Sequence, residues 1–472
     1  MSISNVDFGA LDAEQDQHLM AYFVNVGIEN RILLSRKRYI IGRKGSGKTA
    51  LFKRLQNKIP HSVVPLYYDD YPWETHKKIK ENGVPLEAAY VASWKFLLLV
   101  TMISYWSEQE NFKQRKRAKK IIKEMYAGEK LSLGNILFDK FKRIRKLSLP
   151  SIGEDGASLG GFELDKEQNA GPFFAAIISS FAKKLIEFVM ENYADYPITI
   201  LLDKLDDGWD ASDESKALLS GILKATRDIC MHLPTEKTSP VIVFLRTDIY
   251  DNLRFNDKNK ISSEIEYLDW SEDSLIDVAN ARISNSLKCE QDKAWATVFS
   301  DGRMRQRATI RSYIIKRTMS RPRDIVSFCI FCREAAIANK HSIVSTQDVY
   351  EAEEQYSRHI FDELDDEMHK QFSNAKEILQ VVRNIQNQRF TLDTWTQAYL
   401  EAYPNATKAQ ALADLRSLFD YSIVGVPKVG GKAGGTVYQF AYQDRLLQPN
   451  FAKDMIVHFS LKKVLSLRDK GA

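Results

Sequence analysis

Cysteine is scarce in this chain, with four in 472 residues. Cys230, Cys289, Cys329 and Cys332 are too few and too scattered for a disulfide framework, so a reducing, cytoplasmic setting is expected. Long apolar runs are missing as well. The longest, Phe96–Ile103, falls far short of the roughly 20 residues a membrane helix needs, and no membrane association is expected. The opening stretch, MSISNVDFGALDAEQDQ, has neither a basic start nor an apolar segment and does not read as a secretory signal. Charge of one sign is not in excess either: 67 Lys and Arg face 62 Asp and Glu, for a net +5. Affinity for nucleic acid would therefore come from local patches and not from a global field. With 44% hydrophobic and 27% charged residues the composition is that of an ordinary globular protein, and the length suits about two to four domains.

One stretch carries the strongest signal. Residues 38–51 read RYIIGRKGSGKTAL, in which Gly42-Arg43-Lys44-Gly45-Ser46-Gly47-Lys48-Thr49 fills the pattern G-x-x-x-x-G-K-[ST]. Tyr39, Ile40 and Ile41 form the end of a buried strand ahead of it, and a helix beginning near Lys48 follows with Ala50 and Leu51. Glycines at 42, 45 and 47 let the backbone turn so that its N–H groups point inward, where the positive end of the helix dipole adds to them. Lys48 is expected to reach the β- and γ-phosphates of ATP, and the Thr49 hydroxyl to ligate Mg²⁺.

Other strands and helices supply the setting. Apolar positions Leu19, Met20, Phe23 and Val24 predict a helix within Asp12–Val26 beside the nucleotide-binding strand. A second strand spans 62–68 and ends in Asp69-Asp70, read as a solvated turn in preference to a site group. A buried helix is expected over Ala88–Trp106. Between Lys113 and Lys123, seven of eleven residues are Lys or Arg. A solvated helix face is favoured there over a phosphate-binding strip. Residues 128–171, glycine-rich from Ser148 on, read as a flexible insertion.

Ile198–Asp207 is an apolar strand ending in acids. Asp203, at the tip of a parallel strand adjacent to the first, is expected to hold Mg²⁺ with Thr49. Pro240–Leu245 is a further strand and ends in Arg246, which would point at the γ-phosphate or else form an ion pair with Asp248 or Asp203. Helices follow over 272–287, 295–299, 311–318 and 324–339. Ser320-Arg321-Pro322-Arg323-Asp324 enters the last of these, and Arg323, chosen over Arg321, is expected either to reach the γ-phosphate or to serve as a helix-start ion pair. Arg303, Arg305 and Arg307 form a cationic cluster that could act in trans between subunits of a homo-oligomer. The Cys329-x-x-Cys332 pair lies in an apolar helical run and reads as core, not as a zinc site.

Glu351–Glu367 has eight acids to one base, Arg358, and reads as a polar connecting helix. Beyond it, from Lys370, 14 Lys and Arg face 8 Asp and Glu. Three helices, 375–386, 392–399 and 408–419, precede a glycine-studded hairpin over 422–440. This is the pattern of a winged helix whose third helix offers Lys408, Gln410 and Arg416 to DNA or to a docking protein.

In order of parts, GRKGSGKT, ILLDKLDD, VIVFLRTD, the helical SRPRD segment and the winged helix, the chain resembles the AAA+/STAND group of P-loop ATPases, especially the bacterial KAP-like and origin-recognition-like branches. The resemblance implies an α/β fold: a P-loop NTPase parallel sheet over 1–268, a helical lid over 269–360 and a C-terminal winged-helix domain over 361–472. It implies ATP and Mg²⁺ held by residues 42–50, with Thr49 and Asp203 at the metal and Arg246 and Arg323 as sensors. Many relatives place a glutamate directly after the metal-binding aspartate, whereas Lys204 stands here; Asp206, or failing it Asp207, would then orient water, and slow hydrolysis is expected. The group also implies a switch in anti-phage defence that controls an effector protein from a neighbouring gene. A non-hydrolysing scaffold and an origin-type DNA loader are the alternatives.

Overall fold

The computed structural model describes residues 3–67, 86–126, 146–147, 162–163, 184–233, 238–369, 374–428 and 437–469. Two compact units divide the chain: residues 27–43 with 48–268, and residues 1–26 with 44–47 and 269–472.

The first unit is built on a five-stranded parallel sheet. Its strands are β1 (Tyr39–Gly42), β2 (Ser62–Tyr67), β3 (Ile198–Asp203), β4 (Val241–Arg246) and β5 (Ile265–Tyr267). Their order is β2-β3-β4-β1-β5, every neighbouring pair parallel. The strand carrying Asp203 is therefore not adjacent to the strand before the glycine-rich loop; β4 lies between them. Helices α1 (Ile28–Leu34), α2 (Lys48–Lys58), α3 (Leu86–Glu108), α4 (Arg115–Tyr126), α5 (Asp213–His232) and α6 (Thr247–Asn252) belong to the same unit, with residues 184–193 also helical and a 3-10 helix at Lys258–Glu264. Strands β1, β3 and β4 are buried along their whole length, as parallel strands covered on both faces must be. Their side chains alternate. Tyr39, Ile41, Ile200, Leu202, Val243 and Leu245 share one core with α3 and α5, while Phe244 meets Phe52 of α2 edge to face at 5.6 Å.

By length and composition α3 is apolar enough to cross a membrane, but Tyr90, Trp94, Leu97, Leu98, Ile103 and Trp106 along it are buried in that core. Burying each such side chain stabilises the fold by about 1.5–3 kcal/mol. The Trp94 indole donates to the Leu218 carbonyl at 2.9 Å, and Lys95 pairs with Asp228 of α5. The basic run of α4 has Ala118 and Ile121 turned into the same core, Arg117 on Glu191 at 3.1 Å, and Lys116, Lys119 and Lys120 exposed. Asp69 and Asp70 and most of 128–171 lie outside the described residues; within the latter stretch, Lys146–Leu147 pairs antiparallel with Phe162–Glu163.

The second unit is mostly helical. It comprises α7 (Glu272–Leu287), α8 (Gln291–Val298), α9 (Ile310–Ile315), α10 (Pro322–Ala338), α11 (Thr346–Met368), α12 (Ala375–Ile385), α13 (Leu392–Ala402) and α14 (Lys408–Asp420). An antiparallel sheet of β6 (Arg389–Phe390), β7 (Val424–Pro427), β8 (Tyr438–Gln439) and β9 (Met455–Val457) follows, in the order β8-β7-β9-β6. Side-chain caps start these helices where the sequence puts Ser or Thr: Ser271 for α7, Ser345 for α11, Thr391 for α13 and Thr407 for α14. Pro322 occupies the first turn of α10, where its missing N–H costs nothing.

No α-helix forms over 12–26. The segment makes a short 3-10 turn at Leu19–Ala21, and it belongs to the helical unit. A buried polar knot holds it: Arg282 of α7 donates to Asp16 at 3.2 Å and also bonds the Phe8 carbonyl, while Tyr22 bonds Asp16. Periodicity in so short a stretch does not outweigh such tertiary partners. The expected polar connector around 351–367 is amphipathic: Tyr356, Ile360 and Leu364 of α11 sit in one continuous core with Ile378, Trp395 and Leu415. Cys329 and Cys332 are fully buried in that core, in keeping with a packing role. The glycines at 430–435 lie outside the described residues.

Candidate phosphate-binding site

Parallel register lines up the strand ends from which the site is built. Gly42 pairs with Arg246, and Asp203 ends β3 beside Tyr67 of β2. In a parallel sheet such ends gather where ligands bind. Gly42 itself is a strand residue. The turning is done by Gly45 (φ +77°) and Gly47 (φ +94°), which adopt backbone conformations that L side chains disfavour.

Within the sheet unit five of the expected residues come together. Thr49, in the first turn of α2, donates its hydroxyl to Asp203 at 3.0 Å. The Lys48 ammonium donates to the carbonyls of Gly42 at 3.0 Å and Arg43 at 3.1 Å. Burial pulls the Lys48 pKa down, against the carboxylates of Asp206 and Asp203, which hold it up. Burial likewise raises the pKa of Asp203, opposed by Lys48, by the Lys204 N–H and by Thr49. Lys204 is left-handed, with φ 59°, and its N–H faces the carboxylate before it. Arg246 is nearly buried and grips Asp248 with two bonds, 3.0 and 2.7 Å, and touches Asp206 at 3.5 Å. Of the two expected readings of Arg246, the ion pair with Asp248 is the one seen. Asp206 is partly buried beside it, while Asp207 is exposed.

Within the helical unit, Arg323 meets the tip of the loop. Its N–H donates to the Gly45 carbonyl at 3.4 Å, and its guanidinium is shared between Glu363 at 3.1 Å and Asp12 at 2.9 Å. Arg321 is fully buried between Asp324, at 2.9 and 3.0 Å, and Glu367, at 3.1 Å, and these carboxylates hold its guanidinium firmly charged. Arg303, Arg305 and Arg307 are all exposed, and Arg305 lies over the Tyr350 ring. Two partners of the loop escape a sequence reading. Trp270 donates its indole N–H to the Ser46 carbonyl at 2.8 Å, and Asp366 pairs with Lys44. Nothing in spacing singles out a tryptophan more than 200 residues downstream of its acceptor.

At α14, Lys408 is exposed, but Gln410 is spent on the cap of its own helix, accepting from the Thr407 N–H at 2.7 Å. Arg416 bonds Asp420 at 3.0 Å and Gln448 at 3.2 Å.

The donor set fits Mg²⁺ with a phosphate chain. A hydroxyl and a carboxylate oxygen already within bonding distance can share a hard cation, and the loop offers a lysine and alternating left-handed glycines for anionic oxygens. Strand, glycine-rich loop and helix on a parallel sheet constitute an α/β P-loop NTPase fold, joined here to a helical C-terminal part.

A family model for the FunZ-associated C-terminal helical domain matches residues 273–365, the stretch of α7 to α11. No curated protein matches. Among solved structures, Cdc6p from Pyrobaculum aerophilum is 12% identical, with 95% of this chain and 91% of that one covered at a TM-score of 0.32. The ORC2 protein of Aeropyrum pernix, in ADPNP and ADP complexes, is 13% identical, with 91% and 89% covered at 0.36. Drosophila ORC bound to DNA is 11% identical, with 93% and 82% covered at 0.28. At such scores the likeness carries no argument about function.

Proposed function

We propose that the protein is an Mg-ATP-binding molecular switch with slow hydrolysis. The single observation that supports this most is the Thr49 hydroxyl set on the Asp203 carboxylate at 3.0 Å, in the first turn after a left-handed glycine loop. Bound there, Mg²⁺ would neutralise charge between the outer phosphates. Lys48 would leave its loop carbonyls for phosphate oxygens, and Asp203 would ligate the metal in its ionised form. Arg246 would have to exchange Asp248 for the γ-phosphate, and Arg323 would have to leave Asp12 and Glu363. A ligand shifts an equilibrium only by preferring one arrangement, and these exchanges are where ATP would differ from ADP.

The loop tip, residues 44–47, groups with the helical unit. We read 269–360 as a lid and the three helices and small sheet beyond it as a winged helix that docks a partner protein or nucleic acid. Control of an effector in anti-phage defence, in a cytoplasmic homo-oligomer, is the role that fits such a switch. A second reading, a nucleotide-stabilised scaffold that does not turn over, is favoured by one feature: Lys204 follows Asp203, and Asp206, the acid left to orient water, is in contact with Arg246.

Steady-state phosphate release by wild type, Lys48→Ala and Asp206→Ala tests both. Turnover above the Lys48→Ala background that falls in Asp206→Ala supports the switch. Nucleotide binding without turnover selects the scaffold, and absence of binding removes both.

A further inference from the structure

Three consecutive carbonyls at the tip of the glycine-rich loop are each held by a donor of the helical unit. Arg321 donates to Lys44 O at 3.4 Å, the Arg323 N–H to Gly45 O at 3.4 Å, and the Trp270 indole to Ser46 O at 2.8 Å. The Lys44 ammonium is ion-paired with Asp366 near the end of α11. In a trans peptide the C=O and the following N–H point in opposite directions. Holding the carbonyls of 44, 45 and 46 on one side therefore turns the N–H groups of Gly45, Ser46 and Gly47 to the other. The left-handed glycines at 45 and 47 are what let these peptide planes align.

We propose that Trp270 is a positioning residue for the phosphate loop, and that with Arg321 and Lys44–Asp366 it forms a carbonyl clamp through which the helical unit sets and senses the loop. This rests on the nucleotide-binding reading above. The clamp has one rigid side. Arg321 is buried to 2% exposure among Asp324 and Glu367, so its position is fixed by α10 and α11 and not by the loop. Trp270 is the other side. It lies just before the capping residue of α7, and its N–H is spent on the loop. The indole also neighbours Gly47: a Cβ built there would lie 3.8 Å from the ring. Phosphate oxygens drawn to the N–H groups tilt the peptide planes, and a tilted plane moves the carbonyl that Trp270 holds.

The test uses the full-length protein. Trp270→Phe keeps the ring but lacks the donor, and a loop no longer held for phosphate is expected to bind a fluorescent ATP analogue about three- to ten-fold more weakly, with a melting temperature only slightly lower. The protein has seven tryptophans, so it is labelled with 5-fluorotryptophan and the residue 270 resonance is assigned by its loss in Trp270→Phe. Saturating Mg-ATP is expected to shift that resonance in wild type and not in Lys48→Ala. Should Trp270→Phe fail to fold, Trp270→Tyr supplies the assignment and Asp366→Asn, at the surface, supplies the affinity comparison. Unchanged affinity in the variant, or an unmoved resonance in wild type that binds nucleotide, overturns the proposal alone. Wild type that binds no nucleotide overturns the functional reading and the clamp with it.

Discussion

Thr49 of α2 and Asp203 of β3 are bonded at 3.0 Å although a whole strand, β4, separates β3 from β1, the strand that leads into the loop before α2. Asp203 is 3% exposed and its pKa is raised, chiefly by burial. The folded state thus holds the Asp203 proton more tightly than the unfolded chain does. As pH rises from the ordinary carboxyl range through the raised pKa, wild type loses stability at this residue, and the loss then levels off. Asp203→Asn removes the ionised form. Without ligand it is expected to melt higher at neutral pH, by about 2–4 °C, and to match wild type at low pH. In the same variant, Mg²⁺ should no longer increase affinity for ATP. Melting curves across pH and titrations with and without Mg²⁺ check both halves.

Arg246 is 8% exposed and doubly bonded to Asp248, so Asp248→Ala takes two charge-assisted bonds from a largely buried guanidinium that keeps its longer contact to Asp206. Loss of these charge-assisted bonds is expected to cost about 1–3 kcal/mol without ligand. If Arg246 senses the γ-phosphate, the same change frees it for that task. The ratio of ATP to ADP affinity should then rise, and restoring stability by ATP should exceed that by ADP. An unchanged ratio would leave Arg246 as a structural ion pair only.

The thiols offer a check on the helical core. Cys329 and Cys332 are fully buried, and burial raises both of their pKa values; Cys230 is buried with a raised pKa as well. Thiolate is the reactive form, so these three should be slow. Cys289 alone is partly exposed. Ellman's reagent is expected to titrate one thiol quickly in the native protein and all four after unfolding. Fast reaction at Cys329 or Cys332 would contradict the packing of α10.

Strands β1, β3 and β4 were legible because each is a short apolar run whose end carries chemistry: the glycine-rich loop after Ile41, Asp203 after Leu202, Arg246 after Leu245; the three-residue β5 carries no such signal and was not expected. Such runs have no solvent face to conceal, and their β-branched residues leave little choice of structure. Strand order was not legible. Local pattern says nothing about which parallel strands are neighbours, and so β4 between β1 and β3 could not be foreseen. The stretch 12–26 misled for a related reason, since Leu19, Met20 and Phe23 repeat at helical intervals while Asp16 and Tyr22 are fixed by Arg282, 260 residues and more away. Partners of the loop were hidden in the same way. Trp270 and Asp366 reach it by tertiary placement, as Asp12 and Glu363 reach Arg323, and no motif ties them to their partners.

Lys204 stands directly after the metal-site candidate Asp203, and its backbone is as distinctive there as its side chain. Its φ of 59° lies in the left-handed region, at a cost of about 1–2 kcal/mol for a residue with a Cβ. The Lys204 N–H faces the buried Asp203 carboxylate, so strain at this residue falls directly on the backbone that holds the acid. Lys204→Gly removes the steric cost but adds the entropy of glycine in the unfolded chain, about 0.5–1 kcal/mol, so stability should stay level or rise slightly. Lys204→Val, β-branched and poorly suited to positive φ, should lower it by about 1–2 kcal/mol. Nucleotide affinity is expected to follow the backbone in the same order, unchanged in Lys204→Gly and weaker in Lys204→Val, because it depends on how Asp203 is held. Should Lys204→Gly lose affinity while Lys204→Val retains it, the ammonium of Lys204 and not its amide would be the group that matters.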